Sequence, residues 1–228
     1  MTYSILALDT ERRALGVATA TGSLAVGGFV PHLYYGVGAV ATQGAFTNWL
    51  YADRVMMALR IGMNAEAALK EVISKDDASD YRQLIVIDRW GQTAGHTGQE
   101  NLEVKQHRVE AGLAIAGNML ANSQVIESMH DSYRSTQDLP LHERLFQVLE
   151  AAELAGGDFR GVHSCAIKVH SYTDPPIDLR VDWSDSNCIE KLRALHEKSL
   201  STGYQAFIQG VPTLEMPCKH GVISSDEV

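Results

Sequence analysis

Apolar positions along this chain come in short runs with strand character, broken by paired stretches with helical spacing. Residues 2–9 are apolar on both faces, which predicts a strand central to a sheet. A polar turn at Glu11-Arg12-Arg13 leads into residues 14–21, whose sequence ALGVATAT predicts a second strand forming an antiparallel hairpin with the first. Residues 23–30 are apolar and glycine-containing and carry no firm assignment. Residues 33–43 predict a third strand, in which Gly36 and Gly38 suggest a bulge or a close backbone approach. Two helices follow. Residues 48–61 favour helix and stop at Gly62, a natural C-cap. Asn64 caps a second helix, whose Ala65, Ala68, Leu69, Val72 and Ile73 share one face.

The pattern then returns to strands. Residues 82–88 and 92–97 predict a hairpin around Arg89-Trp90-Gly91, and residues 109–118 another strand. Helices are expected at about 123–134 and 140–155, the second burying Leu141, Leu145, Val148, Leu149 and Ala152 before Gly156-Gly157. A strand at 161–171 runs into Asp174-Pro175-Pro176, which blocks helix. A strand at 177–182 and a helix at about 186–200 complete the patterned region. The tail from 203 is weakly patterned, and its end, SSDEV, is expected to fray. Strands thus cluster in runs between helix pairs. That order predicts an α+β fold, a four-layer α/β/β/α sandwich of two antiparallel sheets. No linker or repeat divides the chain, so residues 1–228 read as a single domain, with a core at about 2–183 and a C-terminal helix and tail at 184–228.

Composition narrows the classes of function. Of the 228 residues 45% are hydrophobic and 21% charged, ordinary values for a globular chain large enough to fold without a metal or disulfide staple. The net charge of −9 and the lack of basic runs argue against nucleic acid and anionic membranes as partners. Three widely spaced cysteines, Cys165, Cys188 and Cys218, fit a reducing compartment rather than a disulfide framework. No signal-peptide pattern opens the chain, and no apolar run approaches the roughly 20 residues of a membrane span. The expectation is a cytoplasmic protein.

Familiar catalytic signatures are absent: there is no GxSxG elbow, HExxH, Walker loop or CxxC. The nine histidines are scattered and read as structural or surface residues. His163 and His170, an odd number of residues apart on one strand, face opposite sides and cannot share a metal. Cys165 sits mid-strand and reads as a buried, inert thiol. Asp178-Leu179-Arg180-Val181-Asp182 reads as a half-exposed strand with paired charges.

The start of the chain carries more chemistry. Removal of Met1, usual before a small residue, would leave a free Thr2, whose hydroxyl is a nucleophile and whose α-amine is a base with a pKa of about 7.7–8.0. Ser4 faces the same side as Thr2 but has no visible base. Gln43 and Asn118 are amides at strand ends, where either could donate to an oxyanion, Asn118 together with neighbouring backbone N–H groups. The segment Gly156-Gly157-Asp158-Phe159-Arg160-Gly161 reads either as a helix cap and turn or as an oxygen-binding loop, with Arg160 as anion clamp and Asp158 fixing it.

Seven segments occur together in order: Thr2-Tyr3-Ser4-Ile5, Leu15-Gly16-Val17-Ala18, Leu24-Ala25-Val26-Gly27, Gly36-Val37-Gly38-Ala39-Val40-Ala41-Thr42-Gln43, Gly117-Asn118-Met119-Leu120, Gly156 to Gly161, and Asp178 to Asp182. Over residues 2–183 the chain resembles a bacterial family known as domain of unknown function ten-twenty-eight, grouped with the N-terminal nucleophile hydrolases. The resemblance implies their four-layer fold and C–N hydrolysis of a small amide or peptide. It implies no metal and no organic cofactor, and self-association by analogy. Position by position, it makes Thr2 the nucleophile, with Asn118 assisting, and places Gln43, Asp158 and Arg160 at recurring polar positions around the substrate. Two residues depart from the pattern: Gly22 stands where relatives often carry a basic residue, and His163 where they carry glutamine. Some longer relatives bear a peptidoglycan-binding region, and the chain beyond residue 183 is expected to be too short to include all of it. The alternative expectation is a non-catalytic binding or assembly module on the same fold.

Overall fold

A computed structural model of the chain describes residues 2–221; Met1 and the expected fraying of SSDEV lie outside them. Ten strands and seven helices follow in the order β1 (Thr2–Asp9), β2 (Ala14–Thr21), α1 (Val26–Phe29), β3 (Pro31–Tyr34), β4 (Gly38–Gly44), α2 (Leu50–Arg60), α3 (Ala65–Ile73), β5 (Arg82–Asp88), β6 (Thr93–Thr97), β7 (Gln106–Glu110), β8 (Leu113–Asn118), α4 (Gln124–Ser135), α5 (Leu141–Leu154), β9 (Ser164–Ser171), β10 (Ile177–Val181), α6 (Cys188–Ser199) and α7 (Thr202–Gln209). The strands form two antiparallel sheets. The first has the order β10-β9-β2-β1-β8-β7, and the second β3-β4-β5-β6.

Period-two alternation sorts the residues of each strand into layers. On β1, Tyr3, Ile5 and Ala7 point outward and join Val125, Met129, Leu145, Phe146 and Leu149 of α4 and α5, with Ile189 and Leu192 of α6 in the same cluster. Leu6 points the other way, into a layer between the sheets shared with Ala39, Ala41, Ile85, Ile87, Ala114 and Ala116. The outer face of the second sheet packs Val40, Leu84 and Val86 against Tyr51, Val55, Leu59, Ala68 and Val72 of α2 and α3. The protein is therefore an α+β, four-layer α/β/β/α sandwich. Each fully buried Leu, Ile, Val or Phe in these layers contributes about 1.5–3 kcal/mol relative to exposure. β1 lies between β2 and β8, with Thr2 opposite Asn118 and Ser4 opposite Thr19, and so is central as its two apolar faces required.

The structure corrects two element assignments and fills two stretches that carried none. Residues 33–43 are not one strand but the end of β3, a turn and β4; Gly36, at φ +76°, supplies the left-handed residue of the turn rather than a bulge. Residues 109–118 are the hairpin of β7 and β8, turning at Gly112 with φ +79°. Residues 23–30 contain the short helix α1, and the weakly patterned tail contains α7. No helix among the described residues is long and apolar enough to cross a membrane.

Candidate functional site

Thr2 opens β1 on the inward-facing side, two residues from Ser4 and four from Leu6. Its hydroxyl lies 3.2 Å from that of Thr21, at the end of the neighbouring strand β2. Beneath this pair the inter-sheet layer turns polar. Ser4 Oγ lies 2.6 Å from Gln43 Oε1 and 2.9 Å from Thr19 Oγ1. Gln43 Nε2 donates to the Thr2 carbonyl at 3.0 Å and lies 2.7 Å from Gln83 Oε1. Gln83 Nε2 in turn reaches the Gly117 carbonyl at 2.9 Å. Asn118 Nδ2 donates to Gln83 Oε1 at 3.0 Å, while Asn118 Oδ1 is buried with no hydrogen-bond partner among the described residues. Ser4, Gln43 and Gln83 are fully buried. Each such group costs about 1–3 kcal/mol if left unpaired, so the network ties the start of β1 to both sheets.

A second set of contacts closes over the same end. The Asp158 carboxylate, with no exposed side-chain surface, binds Arg160 through Nη2 at 3.0 Å and Nε at 3.2 Å. It also accepts the Arg160 backbone N–H at 2.8 Å and the backbone N–H of Gly22. A Cβ at Gly22 would meet Asp158 Oδ2 at 2.7 Å and the Gly161 carbonyl at 2.8 Å. Any side chain at position 22 is thus excluded by this placement of Asp158. Arg160, held by Asp158, lines the cleft above.

Above these groups opens a cleft of about 760 Å³, lined by Thr2, Thr21, Ser23, Arg160 and, on its rim, Leu24, Phe29, Phe46, Trp49 and Leu102. Those five rim side chains are large, apolar and more than half exposed. Of the residues singled out in the sequence, Thr2 and Arg160 line the cleft. Gln43, Asn118 and Asp158 stand behind them and hold them. The peptide N–H of Met119, next to Asn118, is taken by the Leu102 carbonyl at 3.2 Å. Ser4 shares the face of Thr2 but is sealed under it, which removes it as a nucleophile.

Other candidates fall elsewhere. His163 precedes β9 rather than lying within it; its ring stacks on Trp183 at 4.7 Å, and its Nδ1 is 2.8 Å from the Ser184 carbonyl. Cys165 is buried with its Sγ 3.2 Å from that of Cys188, a contact that, with burial, pushes its thiol far above the usual range and leaves it inert. Asp178 pairs with Lys168 at 3.1 Å and Arg180 with Asp182 at 3.2 Å, as a half-exposed strand would have it. Sequence reasoning missed Thr21 and Gln83. The hairpin register reveals the first, since β2 alternates in step with β1; the second is a lone amide in the otherwise apolar run QLIVI.

A family model described as a family of unknown function (DUF1028) matches residues 2–192. The crystal structure of a protein from Silicibacter pomeroyi assigned to the same family model is 36% identical. The match covers 97% of this chain and 99% of that one, with a TM-score of 0.91. Anbu (ancestral beta-subunit) from Yersinia bercovieri is 12% identical over 89% of this chain and 96% of that one, with a TM-score of 0.41. No curated protein matches the chain.

Proposed function

The chain belongs to the DUF1028 family, and from that premise we propose that it is an N-terminal nucleophile hydrolase that cleaves a C–N bond through Thr2. The observation that carries this reading is the cleft lined by both Thr2, at the head of a central strand, and the cation Arg160. The four-layer sandwich agrees with the fold that the sequence resemblance implies.

The reaction requires prior removal of Met1. The Thr2 α-amine then takes the proton of Oγ1 as Oγ1 attacks the acyl carbon. The carbonyl oxygen becomes an oxyanion, and Arg160, held in plane by Asp158, supplies the charge that stabilises it. Breakdown expels the amine, which takes the proton from the α-ammonium group. Water, activated by the same amine, then hydrolyses the ester and frees the acid. Asn118 and Gln43 act as positioning residues: Gln43 holds the Thr2 carbonyl, and Asn118 fixes Gln83, which anchors Gln43. In this reading Arg160 takes the place of Asn118 at the oxyanion, since one N–H of the Asn118 amide is engaged by Gln83 and the Met119 N–H by the Leu102 carbonyl. The apolar rim favours a small amide or peptide with a hydrophobic group on either side of the scissile bond.

The test is covalent capture. Untagged protein purified from its host is treated with a β-lactone, an electrophile that acylates nucleophilic hydroxyls, and the adduct is mapped by mass spectrometry. One adduct per chain on Thr2 is expected, lost in Thr2→Ala, whose melting temperature stays close to that of the parent. Retention of Met1, or equal labelling of Thr2→Ala, overturns the mechanism and leaves the cleft as a binding site.

A further inference from the structure

At the far end of β2 from Thr21 lies a second cavity, of about 550 Å³, lined by Arg12, Pro140, His142, Asp174, His196 and Tyr204 among others. It shares no residue with the Thr2 cleft. His142 and His196 line it, and there His142 and Glu143, from the first turn of α5, meet His196 from the last turn of α6, their donor atoms all within 4.8 Å of one another. Glu143 Oε1 lies 3.6 Å from His196 Nδ1 and 3.8 Å from His142 Nε2. Those separations are too long for hydrogen bonds. They are close to the edge of a tetrahedron of donors set around one ion, about 3.3 Å when each bond is about 2.0–2.1 Å. Both rings are held in place: they pack on each other with centroids 4.8 Å apart, and His196 also packs on Phe146 at 5.3 Å.

Local charge suits a cation. Arg193 binds Glu143 Oε2 at 3.0 Å and is also bound by Glu150 Oε1 at 2.6 Å. Two carboxylates against one guanidinium leave one negative charge. Arg193 also fixes the Glu143 carboxylate by one oxygen and leaves the other aimed between the imidazoles, the outer-shell arrangement that orients metal ligands.

We propose that His142, Glu143 and His196 form a binding site for a divalent transition cation of the zinc class, with its remaining coordination position open to the cavity. Two imidazoles and one carboxylate are a donor set that zinc takes with an exchangeable ligand. The site is independent of Thr2 chemistry, and it departs from the sequence-based expectation that no metal is bound.

The experiment is equilibrium dialysis of the apo protein against zinc, with metal content measured per chain, and cobalt(II) as a spectroscopic probe. One zinc per chain is expected, raising the melting temperature. His142→Ala and Glu143→Gln should each weaken binding by at least about tenfold, the least that perturbing even an outer-shell partner costs. His170→Gln should leave it unchanged. Cobalt should show d–d absorption without a thiolate charge-transfer band. Failure to saturate at micromolar free zinc overturns the site, as does affinity indifferent to both variants, or a thiolate band pointing to Cys218. Glu143→Gln, close to isosteric, keeps the test decisive if His142→Ala does not fold.

Discussion

Replacing Asp158 by asparagine tests the support of the cleft more sharply than any change at its surface. The carboxylate accepts from four N–H groups: the backbone N–H and Nε of Arg160 on one oxygen, the backbone N–H of Gly22 and Nη2 of Arg160 on the other. Both oxygens face only donors. Whichever way an asparagine amide turns, its NH₂ points at N–H groups, so two contacts become repulsive and the ion pair is lost. Breaking a buried pair costs about 3–5 kcal/mol, but Arg160 is partly exposed and can turn to water, which lowers the figure to about 2–4 kcal/mol. For a chain of this length each kcal/mol moves the melting temperature by about 2–4 °C, so a fall of about 5–15 °C is expected. Urea unfolding followed by circular dichroism should give the same loss with an unchanged slope. Arg160→Ala should cost less, about 1 kcal/mol, because the two backbone N–H bonds to Asp158 survive it. An Asp158→Asn protein within about 0.5 kcal/mol of the parent would refute the reasoning, since it would mean the carboxylate holds nothing that water could not.

Two further changes probe the frame and its titration. Gly44 sits at φ +136° with the Tyr81 carbonyl 2.5 Å from where a Cβ would be, so Gly44→Ala should cost about 1–3 kcal/mol by urea midpoint, with both strain and a backbone clash against it. Burial, and then the charge of nearby His96, hold the His107 imidazole below its ordinary value. The unfolded chain therefore binds the proton first, and this contribution to stability is present above about pH 6.5 and lost as pH falls. His107→Gln should lose less stability than the parent between about pH 7.5 and 5.5 when urea midpoints are compared at the two values.

The layering was legible in the sequence because it rests on strands such as β1, β2 and β5 that are apolar on both faces, on the apolar stripes of α3 and α5, and on the grouping of strands in runs between helix pairs, all local patterns. The missed turns share a cause. At Tyr34-Tyr35-Gly36-Val37 and Ala111-Gly112 the polar residues that normally announce a turn are absent, and one left-handed glycine does the work alone. Helix α7 buries none of its residues, so no periodicity marks it. At the candidate site, the polar residues at strand ends were visible, but their depth was not. Whether Gln43 faces the cleft or lies behind Thr2 depends on how the second sheet stacks on the first, a contact between residues 41 positions apart. The metal-binding cluster was invisible for the same reason: His142 and His196 come together only through the packing of α6 on α5.

The pairing order of the strands also dictates how the molecule can be assembled as it is synthesised. The second sheet is drawn from one contiguous stretch, residues 31–97, and can close as soon as that stretch has emerged. The first sheet cannot. β1 and β2 form a hairpin early, but β1 acquires its other neighbour only with β8, and β2 only with β9, about 150 residues after its own synthesis by the numbering of the paired strands. The strand that carries Thr2 therefore waits about 100 residues with an open edge, until β8 emerges, and the cleft over its hydroxyl is complete only once Arg160 has followed.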